Sequence, residues 1–143
     1  MKVRIVRIEK DLPLPDYHTE GAVAFDMYTR EARTIAPGEM VMLPANLIIE
    51  VPAGHALIVA SRSSLGRKKG LELVNSIGVV DQDFHGPDDE CKLFVRNFTD
   101  APVAVERGER LAQGLIVPVA KAEWDEVDTI KETSRGGWGS TGA

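Results

Sequence analysis

Short runs of apolar and β-branched residues, broken repeatedly by Pro, Gly, Asn and Asp, restrict this chain to an all-β fold. Such runs occur at 39–43, 47–51, 55–60, 91–98, 103–106 and 111–117. Turn signals separate them at Pro37-Gly38, Pro52-Ala53-Gly54 and Arg107-Gly108. Evenly spaced short strands with Gly and Pro turns predict a sandwich or barrel. No window sustains a helical period, and the best candidate is a turn or two around Ser63 to Lys69. There is neither an internal repeat nor a linker, so one β domain is expected from residue 1 to about 130, followed by a tail over 131–143.

A chain of 143 residues fits one domain, which buries roughly two thirds of its unfolded surface. No apolar run approaches the roughly 20 residues that span a bilayer. The start, Met1-Lys2-Val3-Arg4-Ile5-Val6, passes directly into a strand-like pattern without the apolar segment of a signal peptide. A cytoplasmic protein is therefore expected, with no membrane partner. The single cysteine, Cys91, has no neighbouring Cys or His at ligand spacing, which predicts a buried, inert thiol. A net charge of −5 argues against stable nucleic-acid binding, which rests on many Lys and Arg contacts to phosphates. Any polyanionic ligand must meet a local basic cluster or arrive with a metal ion.

The segment from Gly78 to Gly86 places two carboxylates and an aromatic ring within four residues, closed by a Gly turn. An aspartate that ends an apolar run, as Asp81 does, is expected to be partly buried and can act as a general base toward water. Phe84 is then placed to pack on a sugar or base. Read alone, the segment is more simply a strand ending in a polar turn, and the rest of the chain shifts that balance. Asp26 lies within the apolar run Ala22 to Tyr28 and needs a partner, a hydrated metal being one possibility. The run Ser61 to Gly70 joins an Arg, several hydroxyls and a helix start, all suited to phosphate oxygens, or else forms a capped, solvated turn. Gly108 to Gln113 is a turn into a strand carrying Arg110 and Gln113. The tail from Ser134 to Gly142 reads either as a glycine-rich arm able to wrap a phosphate or as a disordered end. It lacks the Lys and following helix of a P-loop.

In this order the five segments resemble the five motifs of the trimeric dUTPase family: 23–27, 61–66, 78–86, 108–113 and 135–142. The resemblance covers nearly the whole chain. It implies a jelly-roll-like (β-clip) fold and a homotrimer with active sites between subunits, over which the flexible glycine-rich C-terminal arm closes. It also implies Mg²⁺-assisted hydrolysis of dUTP to dUMP and pyrophosphate, limiting uracil in DNA and supplying dUMP for thymidylate synthesis. Asp81 matches the general base that activates the attacking water. Asn75 and Gly78 match the hairpin that recognises uracil, and Phe84 stands in for a tyrosine that packs on the sugar and excludes a 2′-hydroxyl. Arg62, Ser63, Ser64 and Gln113 match phosphate-binding positions, and Asp26 the carboxylate that holds Mg²⁺ through water. Arg135, Trp138, Gly139, Ser140 and Thr141 match the arm, with Trp138 stacking over uracil and the hydroxyls reaching the γ-phosphate.

Four departures stand out. Ala24 and Ser64 occupy positions where the family usually has Gly. Pro87-Asp88-Asp89 is inserted between Gly86 and Glu90, and the arm is about two residues shorter between Arg135 and Trp138. The dCTP deaminases, which share the fold, use a similar Arg-Ser-Ser-Leu motif, but their glutamate proton shuttle falls here on Phe94, with Glu90 too early in the chain. A non-catalytic nucleotide-binding regulator of the same fold is the other alternative. His18, His55 and His85 are scattered and read as surface or turn residues, while Trp124 with Val127 is expected to pack the segment before the arm onto the core.

Overall fold

The computed structural model describes residues 1–137. Eleven strands carry the fold: β1 (Ile5–Arg7), β2 (Phe25–Tyr28), β3 (Arg33–Ile35), β4 (Met40–Pro44), β5 (Leu47–Ile49), β6 (His55–Ser61), β7 (Leu71–Leu73), β8 (Ile77–Val80), β9 (Lys92–Asn97), β10 (Val103–Val105) and β11 (Arg110–Pro118). One short helical turn of π type, Leu65–Lys69, stands where the sequence allowed a turn or two. Every strand pair is antiparallel. A four-stranded sheet runs β2-β11-β6-β8 and a three-stranded sheet β4-β9-β7, with the pairs β1-β5 and β10-β3 at their margins.

Alternation builds the core. Along β9, Leu93, Val95 and Asn97 turn inward while Lys92 and Arg96 face out, as expected of a sheet with one solvated face. Met27, Leu57, Leu111 and Ala112 of the larger sheet and Leu43, Leu71, Leu93 and Val95 of the smaller one join the same buried cluster. Each fully buried aliphatic side chain stabilises the fold by about 1.5–3 kcal/mol relative to exposure. Two glycines are required by packing. A Cβ on Gly114 would lie 2.5 Å from Phe25 Cζ, and one on Gly70, at φ +67°, would lie 2.1 Å from Thr99 Cγ2. Asn46 takes a left-handed conformation (φ 64°) in the turn between β4 and β5, which its short amide tolerates. Its Oδ1 accepts from the Glu9 N–H and its Nδ2 donates to the Glu9 carbonyl.

β11 ends at Pro118, and from Val119 to Gly137 the chain has neither strand nor helix. The expected packing of Trp124 and Val127 on the core is not found: Trp124 is 90% exposed and Val127 also faces solvent. No helix among the described residues is long and apolar enough to cross a membrane.

Candidate functional site

Two clefts gather the residues singled out by the sequence. The first opens where β7 and β8 splay apart. They form a hairpin around Val74-Asn75-Ser76, yet β7 pairs with β9 and β8 with β6, so the two arms of the hairpin belong to different sheets. The wedge between them is a pocket of about 490 Å³ lined by Asn75, Gly78, Asp81 and Phe84, with Asp88, Asp89 and Glu90 also on its wall. This volume is within the ordinary range for small-molecule sites. Gly78 faces Val59 across the ladder, and a Cβ there would lie 3.3 Å from Val59 Cβ and 3.7 Å from Asn75 Nδ2. The Asn75 amide thus lies beside bare backbone at Gly78, leaving peptide groups accessible to a flat ring.

Asp81 is exposed rather than partly buried as expected. β8 is an edge strand of its sheet, with Ile77 and Val79 both open to solvent, so the end of the apolar run is left uncovered among the described residues. Phe84 is also open at 41%. The inserted Pro87-Asp88-Asp89 folds back on itself, with the Gly86 N–H donating to Asp89 Oδ2 at 2.6 Å and the Asp89 N–H to the Gly86 carbonyl. Glu90 is buried, and its carboxylate is bound by Arg30 Nε (2.8 Å), Arg30 Nη2 (3.0 Å) and the Asn46 N–H (2.8 Å). A carboxylate held in this way is poorly suited to shuttling protons, which weighs against the deaminase alternative. Burial, followed by the Glu90 charge, pushes the neighbouring Cys91 thiol up to about 11, in keeping with the inert thiol expected.

The second cleft lies at the far end of β6 and is lined by Arg62, Ser64, Lys68, Lys69, Glu109 and Arg110. Beside it stands Asp26 on β2, 5% exposed. Asp26 Oδ1 meets Arg62 Nε at 2.9 Å, and Oδ2 meets Arg110 Nη1 at 3.0 Å and His18 Nε2 at 2.8 Å. The partner demanded by an acid in an apolar strand is therefore a pair of arginines. His18 is exposed, as expected of a surface residue, and its Nε2 also lies 2.7 Å from Arg110 Nη1. Gln113 is opposite Asp26 on one side and Ala60 on the other, and its Nε2 donates to the Ser61 carbonyl. Ser63 is exposed, and the Ser64 hydroxyl makes no capping bond. Among the described residues no group of three or more His, Cys, Asp or Glu side chains could hold a metal. Arg135 is exposed; Trp138, Gly139, Ser140 and Thr141 lie outside the described residues.

Arg110 and His18 had no role in the sequence reading, although a buried carboxylate is itself a signal that a cation must approach it. The Arg110 contact depends on the pairing of β2 with β11, which brings residues 84 positions apart together, whereas His18 reaches Asp26 from the loop before β2, only 8 positions away in sequence.

Comparison with known proteins adds an independent finding: the dUTPase family model matches residues 10–142. This chain belongs to the dUTPase family. Among curated dUTPases, the deoxyuridine 5′-triphosphate nucleotidohydrolase of Lactococcus lactis is 44% identical over 133 residues, covering 91% of this chain and 88% of the relative. That of Dictyoglomus turgidum is 37% identical over 150 residues, covering 99% of both. Among solved dUTPases, that of Streptococcus mutans superposes with a TM-score of 0.78 at 31% identity, over 87% of this chain and all of the other. The dUTPase of Staphylococcus bacteriophage 80alpha, solved with dUpNHpp, shares the fold at a TM-score of 0.85 and 20% identity over 99% of both chains. The jelly-roll-like dUTPase fold expected from the sequence is thus the fold observed.

Proposed function

We propose that the protein is a dUTP diphosphatase that hydrolyses dUTP to dUMP and pyrophosphate with Asp81 as general base. The observation that carries this reading is the meeting of Asp81, Phe84, Asn75 and Gly78 around one pocket of a dUTPase-family chain. Asp81 takes a proton from water, the water oxygen bonds to the α-phosphorus, and the bond from that phosphorus to the β-bridging oxygen breaks as pyrophosphate leaves. A positioned base of this kind contributes about 10²–10⁴-fold. Backbone groups at Gly78 with the Asn75 amide select uracil, and the Phe84 ring packs on the deoxyribose.

The direction of the nucleotide along β6 supports an oligomer. Gly78 is level with Val59 and Val80 with Leu57, which puts Asp81 level with Ala56. A base at Gly78 and an α-phosphate at Asp81 therefore send the β- and γ-phosphates away from Arg62 and Gln113. At about 3.3 Å per residue, Arg62 lies about 20 Å from the level of Asp81. The phosphate clamp of Arg62, Ser63, Ser64 and Gln113 then belongs to another copy, and we infer a homotrimer with sites between subunits. The arm residues Arg135, Trp138, Gly139, Ser140 and Thr141 close the site, excluding water.

Mg²⁺ fits only as a hydrated ion carried on the triphosphate. Both Asp26 oxygens already face cations, but a carboxylate offers about four lone-pair sites, so Asp26 retains room to accept a bond from one metal-bound water. Bound there, the ion would neutralise phosphate charge. A cytoplasmic location follows from a role on the free nucleotide pool, limiting uracil in DNA and supplying dUMP.

The test is incubation with Mg²⁺ and, separately, dUTP, dCTP, dTTP and UTP, following pyrophosphate, ammonia and nucleotide products. Conversion of dUTP alone to dUMP and pyrophosphate supports the proposal. Ammonia from dCTP would make the protein a deaminase, and binding without product a regulator.

A further inference from the structure

We infer that Glu90, held by Arg30, is a positioning residue that fixes the loop carrying Asp81 and Phe84; the inference rests on the dUTPase reading above. This loop, 81–91, joins β8 to β9 and contains no strand, and its last residue, Cys91, is tied to the body by backbone bonds, its N–H donating to the Leu47 carbonyl and its carbonyl accepting from the Ala45 N–H. Its internal bonds close it only upon itself: Phe84 N–H to the Asp81 carbonyl, Asp89 N–H to the Gly86 carbonyl, and Gly86 N–H to the Asp89 carboxylate. Two side chains attach it to the body. Near its start Gln82 Nε2 donates to the His55 carbonyl at 3.0 Å. At its end Glu90 receives three bonds, two from the Arg30 fork and one from the Asn46 N–H.

The Glu90 anchor is rigid from behind. The Arg30 N–H donates to the Pro44 carbonyl, and its Nη1 reaches Glu31 at 3.3 Å and Glu9 at 3.7 Å. Asn46 is 2% exposed and gripped on both sides by the Glu9 backbone. Hydrogen bonding to Glu90 raises the Arg30 pKa further above its ordinary value, so the cation persists at any working pH. A buried ion pair is a poor source of net stability, because desolvation offsets most of its attraction. Geometry is what it supplies: a bidentate fork permits one orientation of the carboxylate. Glu90 itself lines the pocket that holds Asp81 and Phe84, so a shift at this end of the loop is transmitted along nine residues to the base. The inserted Pro87-Asp88-Asp89 increases the need for such an anchor, since it lengthens the loop and adds two carboxylates that must stay on the pocket wall.

The test compares wild type, Glu90→Gln and Arg30→Lys, the latter keeping the charge but losing the fork. Steady-state kcat and KM for dUTP with Mg²⁺ are measured well below the thermal transition, alongside Tm. Misplacing a reacting group by 1 Å costs about 10²-fold, so kcat should fall at least tenfold in Glu90→Gln and less in Arg30→Lys. KM should change less than kcat, because the uracil-binding backbone at Gly78 is held by β6 and, of the proposed binding residues in this pocket, Phe84 alone rides on the loop. An unchanged kcat with a lower Tm would overturn the inference by reducing the pair to a fold-stabilising contact. Where Glu90→Gln does not fold, Arg30→Lys decides by the same criterion. Wild type without dUTP hydrolysis would overturn the functional reading instead, an outcome distinct from unchanged kcat in an active enzyme.

Discussion

Mixing two inactive variants should restore activity, because the proposed base and phosphate clamp of one site come from different copies. Asp81→Asn removes the base, and Arg62→Gln removes a guanidinium from the clamp without touching the hairpin pocket. The two positions stand at opposite ends of β6, and the cleft around each shares no lining residue with the other. In a three-membered ring that contains both variants, whichever is in excess, one of the three junctions joins an intact base to an intact clamp, so about a third of sites are whole. Each parent alone should retain about 10⁻² or less of wild-type turnover, the deficit expected from losing a positioned base. The mixture should then exceed both parents more than tenfold. The assay is pyrophosphate release from dUTP by differently tagged variants, co-expressed and purified through both tags. If base and clamp came from the same chain, every copy would carry one lesion and no site would be whole. Activity no higher than the parental average, in a sample that native mass spectrometry shows to contain mixed oligomers, would refute the reasoning.

Gly114→Ala should destabilise the protein by about 1–3 kcal/mol, the usual cost of overpacking, because the new Cβ falls within 2.6 Å of two Phe25 ring atoms and 3.1 Å of Leu57 Cδ1; an unchanged urea midpoint at fixed protein concentration would contradict this. Cys91 should make stability fall as pH rises from about 9 to about 11: its thiol is raised from 9.0 to about 11, so across that window the unfolded chain has lost a proton the folded chain keeps, and linkage then favours unfolding. Comparing midpoints at the two ends of the window in wild type and Cys91→Ala isolates this contribution, and equal pH slopes would exclude it. Truncation after Thr133 keeps all eleven strands, since β11 ends at Pro118, and should give a folded oligomer with little dUTP turnover. Size-exclusion chromatography showing a monomer, or turnover at the wild-type level, would remove the lid role from the arm.

Much of the fold was legible because period-two patterning and turn residues are local signals. The runs at 39–43, 55–60 and 111–117 became β4, β6 and β11 with ends shifted by one residue or so. What could not be read depends on neighbours distant in sequence. Asp81 follows an apolar run, which predicts burial, but the run forms an edge strand whose alternate residues Ile77 and Val79 are exposed. Strand position within a sheet is set by long-range pairing, not by the run itself. The same holds for the two arginines at Asp26: the need for a partner was legible from one carboxylate in an apolar strand, whereas the choice of Arg62 and Arg110 follows from β2-β11-β6 order. Arg30 and Glu90 meet across 60 positions and carry no local signature. Trp124 misled for a related reason, since a large aromatic predicts a packing surface without saying that the surface belongs to the same chain.

The distribution of charge explains how a chain with net charge −5 can handle a triphosphate. Among the described residues the hairpin pocket is lined by Asp81, Asp88, Asp89 and Glu90 with Lys92 as its only Lys or Arg, while the far cleft is lined by Arg62, Lys68, Lys69 and Arg110 against one acid, Glu109. A polyanion brought to the hairpin pocket alone would face like charge, at a cost of about 4 kcal/mol per unit pair at 4 Å in a medium of effective dielectric 20. In the proposed oligomer, joining the acidic pocket of one copy to the basic cleft of the next would offset that repulsion where the phosphates lie. Asp26 completes the arrangement: it holds two guanidinium groups together that would otherwise repel each other, so the clamp is formed before the substrate arrives and its ordering is not charged against binding.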